Sequence, residues 1–281
     1  MRIILGRHAH SAANERHAVY GEVGDSNVPL TDEGWMQAAA AGSFLKKYLR
    51  ENPYQRPKPV SFFDHPLKCL KQCFNRVTDF ISPTKKRAWI SSYLRCRQSF
   101  TAMALAAAGM LGQYEAKISP LLIEQNYGHN SYIDKSLHDA SSFAEAFRLY
   151  KIAYKQDPFT AIPPGGESPA QMMPRMYAMI DKIMRDKANG YEDQLIETHG
   201  TTLRLFAMAF LKIDPARFKD FPNPENGSLF VIEGGDGVPY TFKQIYDGEK
   251  MQAVDIDWGE KLGIYKMTLP SAPDHIKKNL A

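Results

Sequence analysis

The chain has 281 residues, enough for one large domain or two small ones. It is 44% hydrophobic, 11% aromatic and 23% charged, which excludes a disordered chain, a collagen-like fibre and a disulfide-stapled miniprotein. Its 35 Lys and Arg against 31 Asp and Glu leave a net charge of +4, too small a surplus to announce nucleic-acid binding but compatible with a small anionic substrate.

No membrane span is expected: the longest apolar stretch, Ala102 to Leu111, falls short of the ~20 residues a bilayer requires. The apolar run after Arg2 ends within a few residues, so it does not read as a signal peptide. Cys69, Cys73 and Cys96 are an odd, sparse set, which predicts reduced thiols and a cytoplasmic location. Cys69 and Cys73 stand one helical turn apart with no nearby Cys or His pair to complete a tetrahedron, so no metal site is expected.

Along the chain, Arg2 to Gly6 predicts a buried strand that delivers Arg7, His8 and His10 at its carboxyl end. A helix follows from about Asp32, with Trp35, Ala38, Gly42, Leu45 and Leu49 at helical spacing. Asn52 to Pro59 is a proline-rich loop, and His65 to Phe80 is helix-like. Ala88 to Ser92 is a second buried strand with Arg95 just beyond it, and a helix runs from Arg97 to Leu111. Ser168 before Pro169 marks a helix start, and Met172, Met176, Met179, Ile180 and Ile183 form its core-facing stripe. Leu195 to Thr198 is a third strand, followed by His199-Gly200 and a helix to Leu211. Leu229 to Glu233 and Tyr240 to Tyr246 are late strands. This alternation predicts an α/β fold: a three-layer αβα sandwich with a mainly parallel sheet.

Three strand ends therefore carry Arg7 with His8, Arg95, and His199. In open α/β sheets, ligands bind at such ends. Two arginines and two histidines around one point repel one another unless an anion lies between them. Guanidinium forks match phosphate oxygens, and helix N-termini add backbone donors.

The motifs resemble those of the histidine phosphatase superfamily, also called phosphoglycerate mutase-like. Arg7-His8-Ala9-His10-Ser11-Ala12-Ala13-Asn14 resembles its opening motif, and Asp25 with Leu30-Thr31-Asp32-Glu33-Gly34-Trp35-Met36-Gln37-Ala38 its second. Ser91 to Ser99, Leu122-Ile123-Glu124-Gln125-Asn126-Tyr127-Gly128, Gly166-Glu167-Ser168, Thr198-His199-Gly200 and Asn226-Gly227-Ser228 follow in family order.

The resemblance implies one histidine phosphatase-like domain over 1–281, with elaborations at 52–86 and 127–166 that include a helical cap over the strand ends. It implies phosphomonoester hydrolysis on a small phosphorylated substrate, without cofactor or metal. His8 is then the nucleophile and forms a phosphohistidine, with its second ring nitrogen held by a backbone carbonyl. Arg7, Arg95 and His199 hold the phosphoryl oxygens, Asn14 and Gly200 add phosphate contacts, and Glu124 is the general acid and base. Glu167 orients an arginine or caps the helix at Ser168. His10 and His17 are rim residues.

Several positions depart from the pattern. Ala9 replaces the family glycine, and Asp64 to Gln72 mimics the arginine motif with Cys69 in the arginine's place. Phe147 to Lys151 and His129 to Tyr132 do not match the segments typical of mutases, which favours phosphatase over bisphosphoglycerate-dependent phosphoglycerate mutase. A non-catalytic phosphate-binding relative is the other alternative. Tyr127, Tyr132, Phe143, Phe147, Tyr150, Tyr154 and Phe159 are expected chiefly to hold the cap together.

Overall fold

The computed structural model describes residues 1–54, 84–128, 144–235 and 237–264. The helix-like stretch His65 to Phe80, the motif mimic around Cys69, Cys73, Tyr132, Phe143 and the polar end from Pro270 lie outside the described residues.

The elements are β1 (Arg2–Arg7), α1 (Ala12–Glu15), α2 (Val19–Val23), α3 (Asp32–Glu51), β2 (Lys85–Ser91), α4 (Leu94–Ala106), β3 (Tyr114–Ser119), α5 (Ala144–Gln156), α6 (Pro169–Ala188), β4 (Tyr191–Thr198), α7 (Gly200–Leu211), β5 (Leu229–Gly235), β6 (Val238–Asp247), β7 (Gln252–Asp257) and α8 (Trp258–Leu262). One seven-stranded sheet has the order β3-β2-β4-β1-β5-β6-β7. β3, β2, β4 and β1 pair in parallel, and β5, β6 and β7 extend the sheet antiparallel. The fold is α/β, as the alternation predicts.

Both faces of the sheet are covered. α3 and α4 pack on one face through Ala38, Leu45, Ala102 and Met103, against Ile4, Ala88, Leu195 and Val231. α6 and α7 cover the other through Met172, Met176, Met179, Leu203 and Phe206, against Ile3, Leu5, Ile196 and Phe230. A strand buried on both faces needs apolar residues at consecutive positions, which is why β1 reads Ile3-Ile4-Leu5. Thr31 caps α3 by accepting from Gly34 N at 3.0 Å, with Asp32 and Glu33 in the first turn. Ser168 and Gln171 form a capping box at α6, with Pro169 at its first position.

Two differences from the sequence reading matter. α4 begins at Leu94 rather than Arg97, so Arg95 sits in a helix's first turn, which fixes its backbone. β3 and β7 do not announce themselves in the pattern. β3 lies at the sheet's edge, with four exposed residues between buried Tyr114 and Ser119, so it lacks the continuous apolar run of a central strand. Among the described residues, no helix is long and apolar enough to cross a membrane.

Candidate active site

β4 lies between β1 and β2, and register aligns their ends. Arg7 pairs with Thr198, while Gly6 and Ile90 both pair with Glu197. The chain therefore leaves all three strands at one level: His8 after β1, Tyr93 to Cys96 after β2, His199 after β4. Residues nearly the length of the domain apart meet at the carboxyl edge of the sheet.

His8 is buried. Its Nδ1 donates to the Ala9 carbonyl at 2.8 Å, which holds the proton on that nitrogen and leaves the lone pair on Nε2. Burial, then Arg95 and Arg7, keep the imidazole well below its ordinary 6.5, so the ring is neutral. Ala9, in the family glycine's place, is accommodated in the core: its N–H donates to Ser99 Oγ at 2.9 Å.

Arg95 Nε donates to His8 Nε2 at 3.2 Å. Its Nη1 is held by the Asp25 carbonyl at 2.7 Å and the Asp25 carboxylate at 2.8 Å. The face of the guanidinium lies 4.9 Å from the Tyr93 ring centre. Burial alone lowers an arginine's pKa, but Asp25, with Cys96 and Tyr20, more than offsets it here, and Arg95 stays charged. Arg7 donates through Nη1 to the Pro224 carbonyl, and its buried Nε has no acceptor among the described residues. Burial pulls its pKa down, and Glu124 and Glu225 act against that pull.

His199 is fully buried at the start of α7, its ring edge-on to His8 with centroids 5.1 Å apart. Its Nε2 lies 2.8 Å from Ser91 Oγ and 3.4 Å from Cys96 Sγ. Burial, then Arg95 and His8, hold it neutral. Burial also pushes the Cys96 thiol far up, so it stays protonated. Tyr93 meets His199 edge-on at 5.1 Å, so one aromatic ring supports both a guanidinium and an imidazole of the pocket.

Glu124 reaches the same site from the turn after β3. Its carboxylate accepts from Gln125 N at 2.9 Å and, at the amino end of α7, from Thr201 N and Thr202 N, each at 3.3 Å. Arg7, His8, Arg95, His199 and Glu124 are thus gathered at one place. Asn14 is exposed and turns its side-chain oxygen to Ser11, accepting from N at 2.9 Å and Oγ at 2.7 Å. Gly200 has a packing reason of its own: a Cβ there would overlap the Asn223 side chain. His10 is held by Gln37 and Thr31, and His17 packs edge-on against Tyr20.

Glu167 orients Arg175, as one of its two expected roles had it, while Ser168 and Gln171 do the capping. Phe147 is buried, Phe159 packs against Phe218 at 5.8 Å, and Tyr127 bonds Thr201 Oγ1 at 2.9 Å. Tyr20, Tyr93 and Arg175 were not legible as site residues. Burial raises the Tyr20 phenol, and Arg95, Asp25, Glu124 and Arg7 all act on it electrostatically. Only the nearness of Tyr93 to Arg95, and of Tyr20 to the opening motif, offered any signal.

A mixed sheet whose central strand ends gather two imidazoles, two guanidiniums and a carboxyl defines a histidine phosphatase-like protein. The chain belongs to the histidine phosphatase superfamily (branch 1), whose family model matches residues 68–245. That match begins after Arg7 and His8, whose places rest on the geometry above. The chain is 24% identical to phosphoglycerate mutase-like protein AT74 of Arabidopsis thaliana, over 92% of this chain and 71% of that one. It is 21% identical to broad-range acid phosphatase DET1 of Saccharomyces cerevisiae, over 82% and 84%. Among solved structures, it superposes on mycobacterial glucosyl-3-phosphoglycerate phosphatase Rv2419c in complex with VO3 with a TM-score of 0.57, 16% identity, and coverage of 86% and 96%.

Proposed function

We propose that the protein hydrolyses phosphomonoesters of a small phosphorylated substrate through a phosphohistidine on His8. The observation that carries this reading is the His8 ring: neutral, with its proton on Nδ1 held by Ala9, and its Nε2 beside Arg95.

In the first step the Nε2 lone pair attacks phosphorus, the bond to the leaving oxygen breaks, and Glu124 passes a proton to that oxygen. Arg7, Arg95 and His199 stabilise the charge on the equatorial oxygens; such preorganised groups are worth roughly 3–4 kcal/mol each in comparable sites. In the second step water attacks phosphorus, Glu124 takes the water's proton, and the P–N bond breaks. His8 returns to its neutral form, and inorganic phosphate leaves. These groups supply the electrostatic stabilisation themselves, so the reading involves no metal ion. The name of the yeast relative, a broad-range acid phosphatase, supports hydrolysis over transfer.

The test is His8→Ala assayed against a panel of phosphate esters, with acid-stable and acid-labile phosphoenzyme separated after rapid quenching. The expected result is loss of phosphate release and of acid-labile phosphoenzyme with an unchanged circular dichroism spectrum. Full activity in this variant overturns the nucleophile assignment. Wild-type turnover is expected to survive EDTA and to be inhibited by vanadate. Interconversion of phosphoglycerates primed by bisphosphoglycerate, without net phosphate release, would make the protein a mutase instead.

A further inference from the structure

We propose that Arg175 is a positioning residue for the general acid: with Glu167 as its counter-ion, it fixes the backbone from which Glu124 reaches the leaving oxygen. The proposal rests on the phosphatase reading above.

Glu124 stands on a segment that belongs to no helix or strand. The carbonyls and N–H groups of such a segment need partners from elsewhere. Arg175, in the second turn of α6, supplies two of them. Its Nη2 donates to the carbonyls of Ile123 at 3.2 Å and Glu124 at 3.0 Å. Its Nη1 lies 2.7 and 2.8 Å from the two oxygens of Glu167. Glu167 in turn accepts from Asn126 N at 3.0 Å, and its own N–H donates to the Asn126 carbonyl at 2.9 Å. Gln125 Nε2 donates to the Glu167 carbonyl at 2.7 Å. Residues 123–126 are thus bound to the start of α6 along their whole length, with Arg175 as the hub.

The arrangement needs arginine in particular. One guanidinium nitrogen serves the carboxylate while the other serves two carbonyls, and the planar fork fixes the angle between them. Lysine keeps the charge but has a single nitrogen. The pair is 18% and 23% exposed, so it is sheltered in a way a solvent-exposed ion pair is not. The carboxyl end of Glu124 is held separately by α7 through Thr201 and Thr202. Two elements that pack on one another, α6 and α7, therefore fix the backbone and the carboxyl of the same residue.

The test uses leaving groups. An alkyl phosphate requires protonation of its departing oxygen; p-nitrophenyl phosphate does not, because nitrophenolate leaves as an anion. In Arg175→Lys, kcat/KM for glycerol phosphate is expected to fall ~10-fold or more, while kcat/KM for p-nitrophenyl phosphate stays within about 3-fold. Phosphoenzyme from p-nitrophenyl phosphate is expected to accumulate, since water activation also depends on Glu124. Glu167→Gln, which keeps the shape and loses the charge, is expected to show the same pattern with a smaller loss. Equal losses for both esters, or none for either, would overturn the positioning role. Wild-type protein that hydrolyses neither ester would remove the phosphatase reading first, and the role of Arg175 with it.

Discussion

Arg95 points its Nε at the Nε2 of His8, 3.2 Å away, and so touches the atom that the proposed mechanism makes the nucleophile. In the proposed mechanism a substrate phosphoryl group takes that contact over, with the guanidinium moving from the lone pair to the oxygens. Asp25 holds the other end of the fork, so the movement is a small pivot rather than a swing.

Asp25→Ala should therefore lower kcat more than it changes KM. The variant removes a charge-assisted hydrogen bond, worth about 1.5–3 kcal/mol, that orients Arg95. It also makes the pocket more cationic, which favours binding of the anion. Steady-state kinetics on p-nitrophenyl phosphate separate the two effects. A rise in KM at constant kcat would show that Asp25 does not orient the transition-state contact.

The paired histidines make stability depend on pH. His8 and His199 are both held neutral, well below their ordinary 6.5. Below that value the unfolded chain binds protons that the folded chain refuses, so stability is fully present above 6.5 and is lost as pH falls through the slightly acidic range. Urea midpoints measured across this range should decline toward acid. His199→Asn should decline less steeply. Equal slopes for the two proteins would rule out His199 as a contributor.

Glu197 works in the opposite direction. It is 1% exposed, neither carboxyl oxygen has a hydrogen-bond partner among the described residues, and burial raises its pKa well above the ordinary carboxylate range. Near pH 4 both states carry the proton and no penalty arises. Above that the unfolded chain ionises while the folded chain does not, so the site's cost grows as pH rises. Glu197→Gln should gain stability relative to wild type between about pH 5 and pH 8. A constant difference across that range would mean Glu197 is ionised in the fold.

Gly6 exists to make room for that carboxyl: a Cβ there would overlap Glu197 Oε2, in the strand pair that precedes His8. Gly6→Ala should cost about 1–3 kcal/mol through overpacking. Combined with Glu197→Ala, much of that loss should disappear, and a double-mutant cycle measures the coupling. Additive losses would place the constraint on the backbone instead.

Much of the site was legible before any fold was known. The run Ile3-Ile4-Leu5 ending in Arg7-His8 and the helix start at Ser168 follow from rules that act over a few residues, and the order of the motifs came from the family resemblance. The backbone carbonyl expected on His8 is that of Ala9. Arg95 was legible from its place just beyond a strand end, and Glu124 only through the resemblance of its neighbours to a family motif. Local rules missed β3, an edge strand with a largely exposed sequence pattern, and they placed the start of α4 three residues late.

Tertiary structure decided what touches what. The insertion of β4 between β1 and β2 sets His8, Arg95 and His199 around one point, and no property of any one segment encodes that order. The grip of Asp25 on Arg95, the Tyr93 ring beneath both Arg95 and His199, and the clamp of Arg175 on the Glu124 backbone all join separate elements. Propensity and capping energies reach only along one stretch of chain, whereas these contacts depend on strand register and on how helices settle across the sheet, which are properties of the packed whole.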